Sequence, residues 1–140
     1  MRHRVRRRPA HVSIVSIVWI SMLWASSAWP FAHNFDVNEI FSNPDGTIQF
    51  VELLEKLGAN NEHLFMSRAL ASDATTIVFP SNLPSSLTAN KHVLIATAGF
   101  AALPGAPTPD YTLPDAFINV LADTIDFCSN STCTVPLPFD

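Results

Sequence analysis

The sequence predicts an all-β fold, an antiparallel β-sandwich, on the basis of three observations. Eleven prolines and many Ser, Thr and Asn residues interrupt the chain, so that apolar residues do not keep a helical spacing over a useful length. Short runs rich in β-branched and aromatic residues alternate with turn-forming residues. One of these turns has the composition of a tight hairpin.

The predicted strands are short runs bounded by clusters of Gly, Pro, Asn, Asp and Ser. The main competing helix covers residues 50–57, which are amphipathic over two turns, but Gly58 ends that pattern early and we predict a strand there. The seven predicted strands are residues 36–41, 47–54, 67–71, 75–79, 92–97, 117–121 and 124–128.

The sharpest local signal is the turn sequence Asn43-Pro44-Asp45-Gly46, which lies between two apolar runs. Proline presets the backbone for the second position of a turn, and glycine tolerates the left-handed conformation that closes a hairpin loop. These four residues are therefore predicted to form a hairpin turn, with residues 44–46 as a three-residue loop.

That loop length sets the expected pairing of the two hairpin strands, with Asn38 facing Glu52 and Ile40 facing Phe50. Both faces of the hairpin are then largely apolar, so we expect it in the interior of a sheet. Glu39 and Glu52 would point to opposite faces, which disfavours shared acid/base chemistry. We predict structural polar roles for Asn38, Glu39 and Glu52, as hydrogen-bonding or loop-capping groups.

The first 28 residues have the three-part layout of a secretory signal peptide. Five arginines between residues 2 and 8 precede an apolar run over residues 12–24, and the small residues Ala25-Ser26-Ser27-Ala28 follow. We predict cleavage after Ala28, with cleavage after Ala32 and an uncleaved anchor helix as alternatives. The expected destination is the cell envelope or the medium.

The expected organisation is a signal peptide over residues 1–28, a short linker over residues 29–35 and one sandwich domain over residues 36–140. The sequence ends at Asp140 without the closing strand that a sandwich normally needs. We therefore expect either a domain that lacks its last edge strand or a fragment of a longer protein.

Charge divides sharply at the predicted cleavage site. The leader holds five of the eight Lys and Arg residues and none of the twelve Asp and Glu residues, so residues 29–140 carry three fixed cations and a formal net charge of −9. Such a chain neutralises few phosphates, which disfavours nucleic acid and anionic membrane surfaces as partners. No membrane contact is expected once the leader is removed.

Cys128 and Cys133 are the two cysteines of the chain. In an exported protein a close pair of this kind predicts a disulfide, here across a loop of turn-forming residues. Free thiols and a metal clip are the alternatives that the spacing leaves open.

No residue pattern predicts catalysis. The histidines His33, His63 and His92 lack the spacing of a zinc site, and no serine lies in a Gly-x-Ser-x-Gly elbow. We expect no catalytic residue, no metal site and no cofactor. Calcium is the one alternative, because an acidic exported sandwich offers carboxylate pairs. Those pairs are Asp123 with Asp126, and Asp110 with Asp115.

The hairpin carries a family resemblance. The segment Asn38-Glu39-Ile40-Phe41-Ser42-Asn43-Pro44-Asp45-Gly46, followed by Phe50-Val51-Glu52-Leu53, resembles the opening of lamin tail domains, especially those of secreted bacterial proteins of unassigned function. Residues 79–86 and 93–100 also resemble segments of those proteins. The chain departs from the family pattern at residues 54–57 and in the segment between its two cysteines.

The resemblance implies an immunoglobulin-like sandwich that serves as an adhesion, scaffolding or accessory module. We therefore expect an exported, non-catalytic binding module whose partner is a protein or a surface glycan. The alternative is a secreted hydrolase, or the remnant of one, with a cleft framed by the long loops over residues 80–90 and 98–114.

Overall fold

The computed structural model describes residues 32–128, and these residues form two β-sheets with almost no helix. Six of the seven predicted strand segments contain a strand, and residues 50–55 are extended as predicted. The elements in chain order are β1 (Phe35–Ser42), β2 (Gln49–Glu55), β3 (Ala69–Ala71), β4 (Thr76–Val78), β5 (His92–Ala96), α1 (Ala98–Ala101), β6 (Tyr111–Thr112) and β7 (Asp126–Cys128).

The larger sheet has four strands in the order β1-β2-β5-β6, and the smaller sheet has three in the order β4-β3-β7. All neighbouring strands are antiparallel except β5 and β6, which are parallel. The prediction of a wholly antiparallel fold is therefore wrong at this edge. A long connection over residues 97–110 separates the two strands, and it gives the chain room to return in the same direction.

The hydrophobic core lies between the two sheets. Along β2 the side chains alternate, so that Gln49, Val51, Leu53 and Glu55 are buried and the residues between them are half-buried on the outer face. The core cluster contains Ala32, Phe35, Val51, Leu53, Phe65, Leu70, Phe79, Leu83, Val93, Ile95, Tyr111, Leu113, Phe117 and Ile118.

The chain joins the core earlier than predicted. Ala32 and Phe35 lie in the predicted linker, yet they are 0% and 3% exposed. The Phe35 ring contacts Phe65 edge-on, with 5.0 Å between the ring centroids. Residues 32–35 therefore pack as part of the domain, because burying the large apolar ring of Phe35 lowers the free energy of the folded state.

The hairpin loop has four residues, 44–47, and not the predicted three. Asn43 closes the loop, because its N–H donates to the Ile48 carbonyl (3.0 Å) and its Oδ1 accepts from the Ile48 N–H (2.9 Å). The prediction places Thr47 in the second strand. Instead, Asp45 Oδ1 accepts from both the Thr47 N–H (3.1 Å) and its hydroxyl (2.6 Å), which keeps Thr47 in the loop.

The longer loop shifts the hairpin register by one residue. Ile40 pairs with Val51 and Glu39 pairs with Glu52, and the ladder is irregular between Val37 and Glu39, so that Asn38 lies in a bulge. Directly opposed residues share a face, so the prediction that Glu39 and Glu52 point to opposite faces is wrong. The predicted interior position is also wrong for β1, which forms an edge of its sheet and is largely exposed.

Residues 117–121 form no strand, in contrast to the prediction. Phe117 and Ile118 are 1% and 7% exposed, so their hydrophobic character reflects burial in an ordered loop. The backbone groups of Ile118 are satisfied by one side chain, since its carbonyl accepts from Gln49 Nε2 (2.8 Å) and its N–H donates to Gln49 Oε1 (3.1 Å). The side-chain amide of Gln49 thus makes the hydrogen bonds to this backbone that a neighbouring strand would otherwise make.

Two short elements escaped the sequence analysis, namely α1 and β6. Thr97 caps α1, because its hydroxyl oxygen accepts from the Phe100 N–H at 3.3 Å.

Among residues 32–128, no helix has the length and apolar character needed to cross a membrane. The predicted signal peptide, residues 1–28, lies outside the described residues.

Candidate functional site

Three phenylalanines lie together on the outer face of the four-stranded sheet, at the end nearest the hairpin loop. Phe41 of β1 stacks on Phe50 of β2, with centroids 5.8 Å apart and an interplanar angle of 17°. Phe100 of α1 lies on the other side of Phe50 at 5.2 Å. Phe41 is 46% exposed, and the other two rings are half-buried. We call these three residues the aromatic patch.

α1 is held against the sheet by Thr97 and Gly99. Thr97 is fully buried, and its hydroxyl donates to the Thr47 carbonyl at 2.8 Å. A Cβ atom on Gly99 would lie 2.3 Å from the same carbonyl oxygen, so only glycine permits this approach. The position of Phe100 in the aromatic patch therefore depends on a close contact between α1 and the hairpin loop.

A polar cluster of Asn38, Glu52 and His92 lies next to the aromatic patch on the same face. Glu52 is two residues from Phe50 on β2, about 7 Å along the strand. Its Oε1 accepts from Asn38 Nδ2 (2.7 Å) and hydrogen-bonds to His92 Nδ1 (2.8 Å). Partial burial opposes ionisation of Glu52, but the hydrogen bonds from His92 and Asn38 outweigh it and lower the pKa of this carboxyl group.

Glu39 faces this cluster across the hairpin and is exposed. The register thus brings the two carboxylates that the sequence singled out to the same face. The lowered pKa of Glu52 keeps it ionised at neutral pH, as a hydrogen-bond acceptor, whereas a general acid needs a raised pKa. The arrangement can bind donors more readily than it can deliver a proton.

The most buried acid of the described residues is Glu55, which the sequence analysis did not single out. It is 0% exposed, at the end of β2. Its carboxylate accepts from the backbone N–H groups of Leu57 (3.0 Å), Ala59 (3.0 Å) and Asn90 (2.9 Å). Desolvation opposes its ionisation, but the amide hydrogen bonds from Asn90, Ala59 and Leu57 prevail and lower its pKa. Glu55 thus ties two loops to the end of the sheet.

We predict that acid weakens the fold through Asp45, Glu52 and Glu55, whose pKa values are all lowered. Hydrogen bonds from Thr47 lower the pKa of Asp45. A carboxyl group with a lowered folded-state pKa stabilises the fold above its unfolded value, here 3.8 for Asp45 and 4.5 for the glutamates, and that contribution is lost as the pH falls through the folded-state pKa.

Urea denaturation at a series of pH values measures this effect. The free energy of unfolding should fall steadily below about pH 4.5, and Glu55→Gln should reduce the size of that fall. A stability that stays constant down to about pH 3 would contradict the assignment.

No group of three or more His, Cys, Asp or Glu residues within residues 32–128 could hold a metal ion. One carboxylate of each pair considered for calcium hydrogen-bonds to the backbone. Asp123 accepts from the N–H groups of Asp73 (2.8 Å) and Asn119 (2.7 Å), and Asp110 accepts from the Leu94 N–H (2.9 Å).

Cys128 ends β7 and is 7% exposed. Its predicted disulfide partner, Cys133, lies outside the described residues, so this pairing stays a prediction.

The predicted turn residues 43–46 lie at the tip of the hairpin, close to residues 116–120. Gly46 has a φ of +72°, and its carbonyl accepts from the Ala116 N–H at 2.9 Å.

A cleft of about 530 Å³ lies between β4, an edge of the smaller sheet, and β6, an edge of the larger sheet. It is lined by residues 77–81 and 110–112, which include the beginning of the first long loop and the end of the second. Its ionisable groups are Asp110 and Tyr111. Burial raises the pKa of Tyr111 to about 12, and its hydroxyl donates to the Ser81 carbonyl at 2.9 Å.

No family model, curated protein or solved structure matches this chain. The resemblance to lamin tail domains stays a prediction.

Proposed function

We propose that this chain is an exported, non-catalytic binding module that contacts its partner through the outer face of the four-stranded sheet. The proposal combines the leader-like sequence of residues 1–28 with a fold of two packed sheets. Two sheets enclosing one core are compatible with the immunoglobulin-like sandwich of lamin tail domains, which we propose as the fold family.

The aromatic patch is the observation that carries this proposal. A β-sheet face turned to water normally shows polar side chains, but here Phe41, Phe50 and Phe100 form a continuous group of partly exposed rings. Aromatic residues are enriched where proteins bind partners, because they bury a large area at a small cost in side-chain entropy. A ligand that covers the rings would gain that burial.

The polar cluster supplies the second half of a binding surface. Glu52 and His92 have side-chain exposures of 24% and 57%, so both can contact a ligand. An apolar centre beside hydrogen-bonding groups is the usual composition of a recognition surface. A protein segment or a surface glycan meets both requirements, whereas the formal charge of −9 on residues 29–140 disfavours nucleic acid.

Two observations among residues 32–128 favour the hydrolase alternative, namely the shared face of Glu39 and Glu52 and the cleft between β4 and β6. Of the two ionisable groups there, Asp110 is bonded to the Leu94 N–H, and Tyr111 has a raised pKa that disfavours its use as a base at neutral pH. Glu39 and Glu52 lie on the outer face of the four-stranded sheet and do not line the cleft, and the lowered pKa of Glu52 disfavours it as a general acid. We therefore favour the binding function.

We predict that Phe100→Ala weakens capture of the partner about tenfold or more, because one of the three aromatic anchors is lost. The assay is a pull-down from envelope and medium fractions with the purified protein as bait, with and without calcium. Protein and glycan fractions are analysed separately to identify the class of partner. Intact-mass measurement of the exported protein tests cleavage after Ala28.

Leu87→Ala is the matched control, since Leu87 is an exposed apolar residue, 75% exposed, in a loop away from the patch. It should leave capture unchanged. Equal capture by wild type and Phe100→Ala, or loss of capture only with Leu87→Ala, would contradict the proposed binding face.

A further inference from the structure

β4 is an edge strand with two side chains exposed to solvent. It has three residues, Thr76, Ile77 and Val78, and forms one edge of the smaller sheet. Thr76 and Val78 are exposed, and Val78 is 51% exposed. The strand contains no charge, proline or bulge, so its short length is the one feature within it that limits pairing with another strand.

The other edges carry such features. β1 has the bulge at Asn38, the charged Glu39, and an ion pair between Asp36 and Lys56 at 2.9 Å. β6 has only two residues, with Pro109 and Pro114 close on either side, and β7 begins with Asp126. Pro80 lies two residues beyond β4, but among the four sheet edges within residues 32–128 only β4 has neither a charge in the strand nor a proline on both sides.

The ladder between β3 and β4 fixes which backbone groups of β4 point outward. Ser72 N–H donates to the Thr75 carbonyl, and Phe79 N–H donates to the Arg68 carbonyl. Since hydrogen-bonded and non-hydrogen-bonded pairs alternate in an antiparallel ladder, Ile77 bonds to β3. The N–H and C=O groups of Thr76 and Val78 then point away from β3, toward solvent at the edge.

The cleft adjoins this edge and offers both apolar and charged contacts. Phe79 and Pro80 line one side, and Asp110 lies across from them. Asp110 is 28% exposed at its side chain and 3.9 Å from Lys91 Nζ, a separation at which an ion pair contributes little. An incoming cation would therefore compete with Lys91 for this carboxylate.

We propose that the edge of β4 accepts an extended, basic peptide segment of a partner protein as an added strand. Main-chain hydrogen bonds would form with Thr76 and Val78, and a Lys or Arg side chain would reach Asp110 in the cleft. This interaction is separate from the outer face of the larger sheet and does not depend on the aromatic patch.

Charge favours such a peptide over a second copy of this chain. A dimer formed through β4 would bring together two acidic chains and two copies of Asp110. A basic peptide avoids this repulsion.

Fluorescence anisotropy with a labelled peptide of eight alternating valine and lysine residues tests the proposal. We expect saturable binding to the purified protein, and loss of binding when alternate peptide nitrogens are methylated. Val78→Pro should lower the affinity about tenfold or more, because proline removes an outward N–H without breaking the ladder to β3. Thermal unfolding of this variant should stay close to that of wild type.

Two further variants separate the contributions of backbone and charge. Val78→Thr keeps the N–H and the β-branched side chain, so affinity should stay within about threefold of wild type. Asp110→Asn keeps an oxygen acceptor for the Leu94 N–H but removes the charge, so affinity should fall about threefold and become less sensitive to salt. Phe100→Ala should leave peptide binding unchanged, which distinguishes this site from the proposed binding face.

Several results would overturn the proposal. One is the absence of saturable binding, and another is equal affinity for the methylated peptide or for Val78→Pro. Sedimentation that shows a dimer abolished by Val78→Pro would identify a second copy as the occupant. Binding that appears only after deletion of residues 134–140 would identify the chain's own carboxyl-terminal segment as the occupant.

Discussion

Glu55→Ala is expected to lower the free energy of unfolding by about 3 kcal/mol, because three backbone N–H groups lose their charged acceptor at once. The carboxylate of Glu55 is fully buried and accepts from Leu57, Ala59 and Asn90. Alanine leaves these donors without a partner and also leaves a cavity. Urea denaturation followed by circular dichroism measures the change.

Glu39→Ala is the matched control for this prediction. Glu39 is an exposed glutamate at the sheet edge, so its replacement should change stability by about 0.5 kcal/mol or less. If Glu55→Ala were no more destabilising than Glu39→Ala, the two loops would not depend on the buried carboxylate.

Gly99→Ala is expected to lower the free energy of unfolding by about 2 kcal/mol through overpacking. The Cβ atom of the new alanine would lie 2.3 Å from the Thr47 carbonyl oxygen. The backbone of α1 and that of the hairpin loop would therefore have to move apart. Because α1 carries Phe100, the same shift should move this ring away from Phe50 and weaken partner capture. Thermal unfolding and the pull-down assay measure the two effects.

Ala101→Ser is the control on the same helix, since Ala101 is exposed. It should leave both stability and capture close to wild type. Unchanged unfolding of Gly99→Ala would show that α1 does not depend on its close approach to the hairpin loop.

The all-β class was predictable from the sequence because strand and turn residues alternate in short segments. Its details depended on particular side-chain hydrogen bonds, some local and some between distant residues. The register of β1 and β2 depended on Thr47, whose side chain and backbone bond to Asp45. Residues 117–121 have strand composition, but Gln49, 69 residues away from Ile118 in sequence, satisfies that backbone.

The candidate site was less predictable than the fold. Asn38 and Glu52 were singled out, but His92 joins them only because β5 pairs with β2, 40 residues further along the chain. Phe100 was assigned to a loop, and the cap from Thr97 was the local signal that could have identified α1. β6 has only two residues, too few for a sequence pattern to indicate its parallel pairing with β5.

Site-specific photo-crosslinking tests the proposed binding face most directly. Benzoylphenylalanine placed at Phe41, in the aromatic patch, should crosslink a protein or glycan from the envelope or medium. The same group at Leu87, an exposed loop residue, should give no such product. A partner that crosslinks from position 87 and not from position 41 would contradict binding through the outer face of the four-stranded sheet.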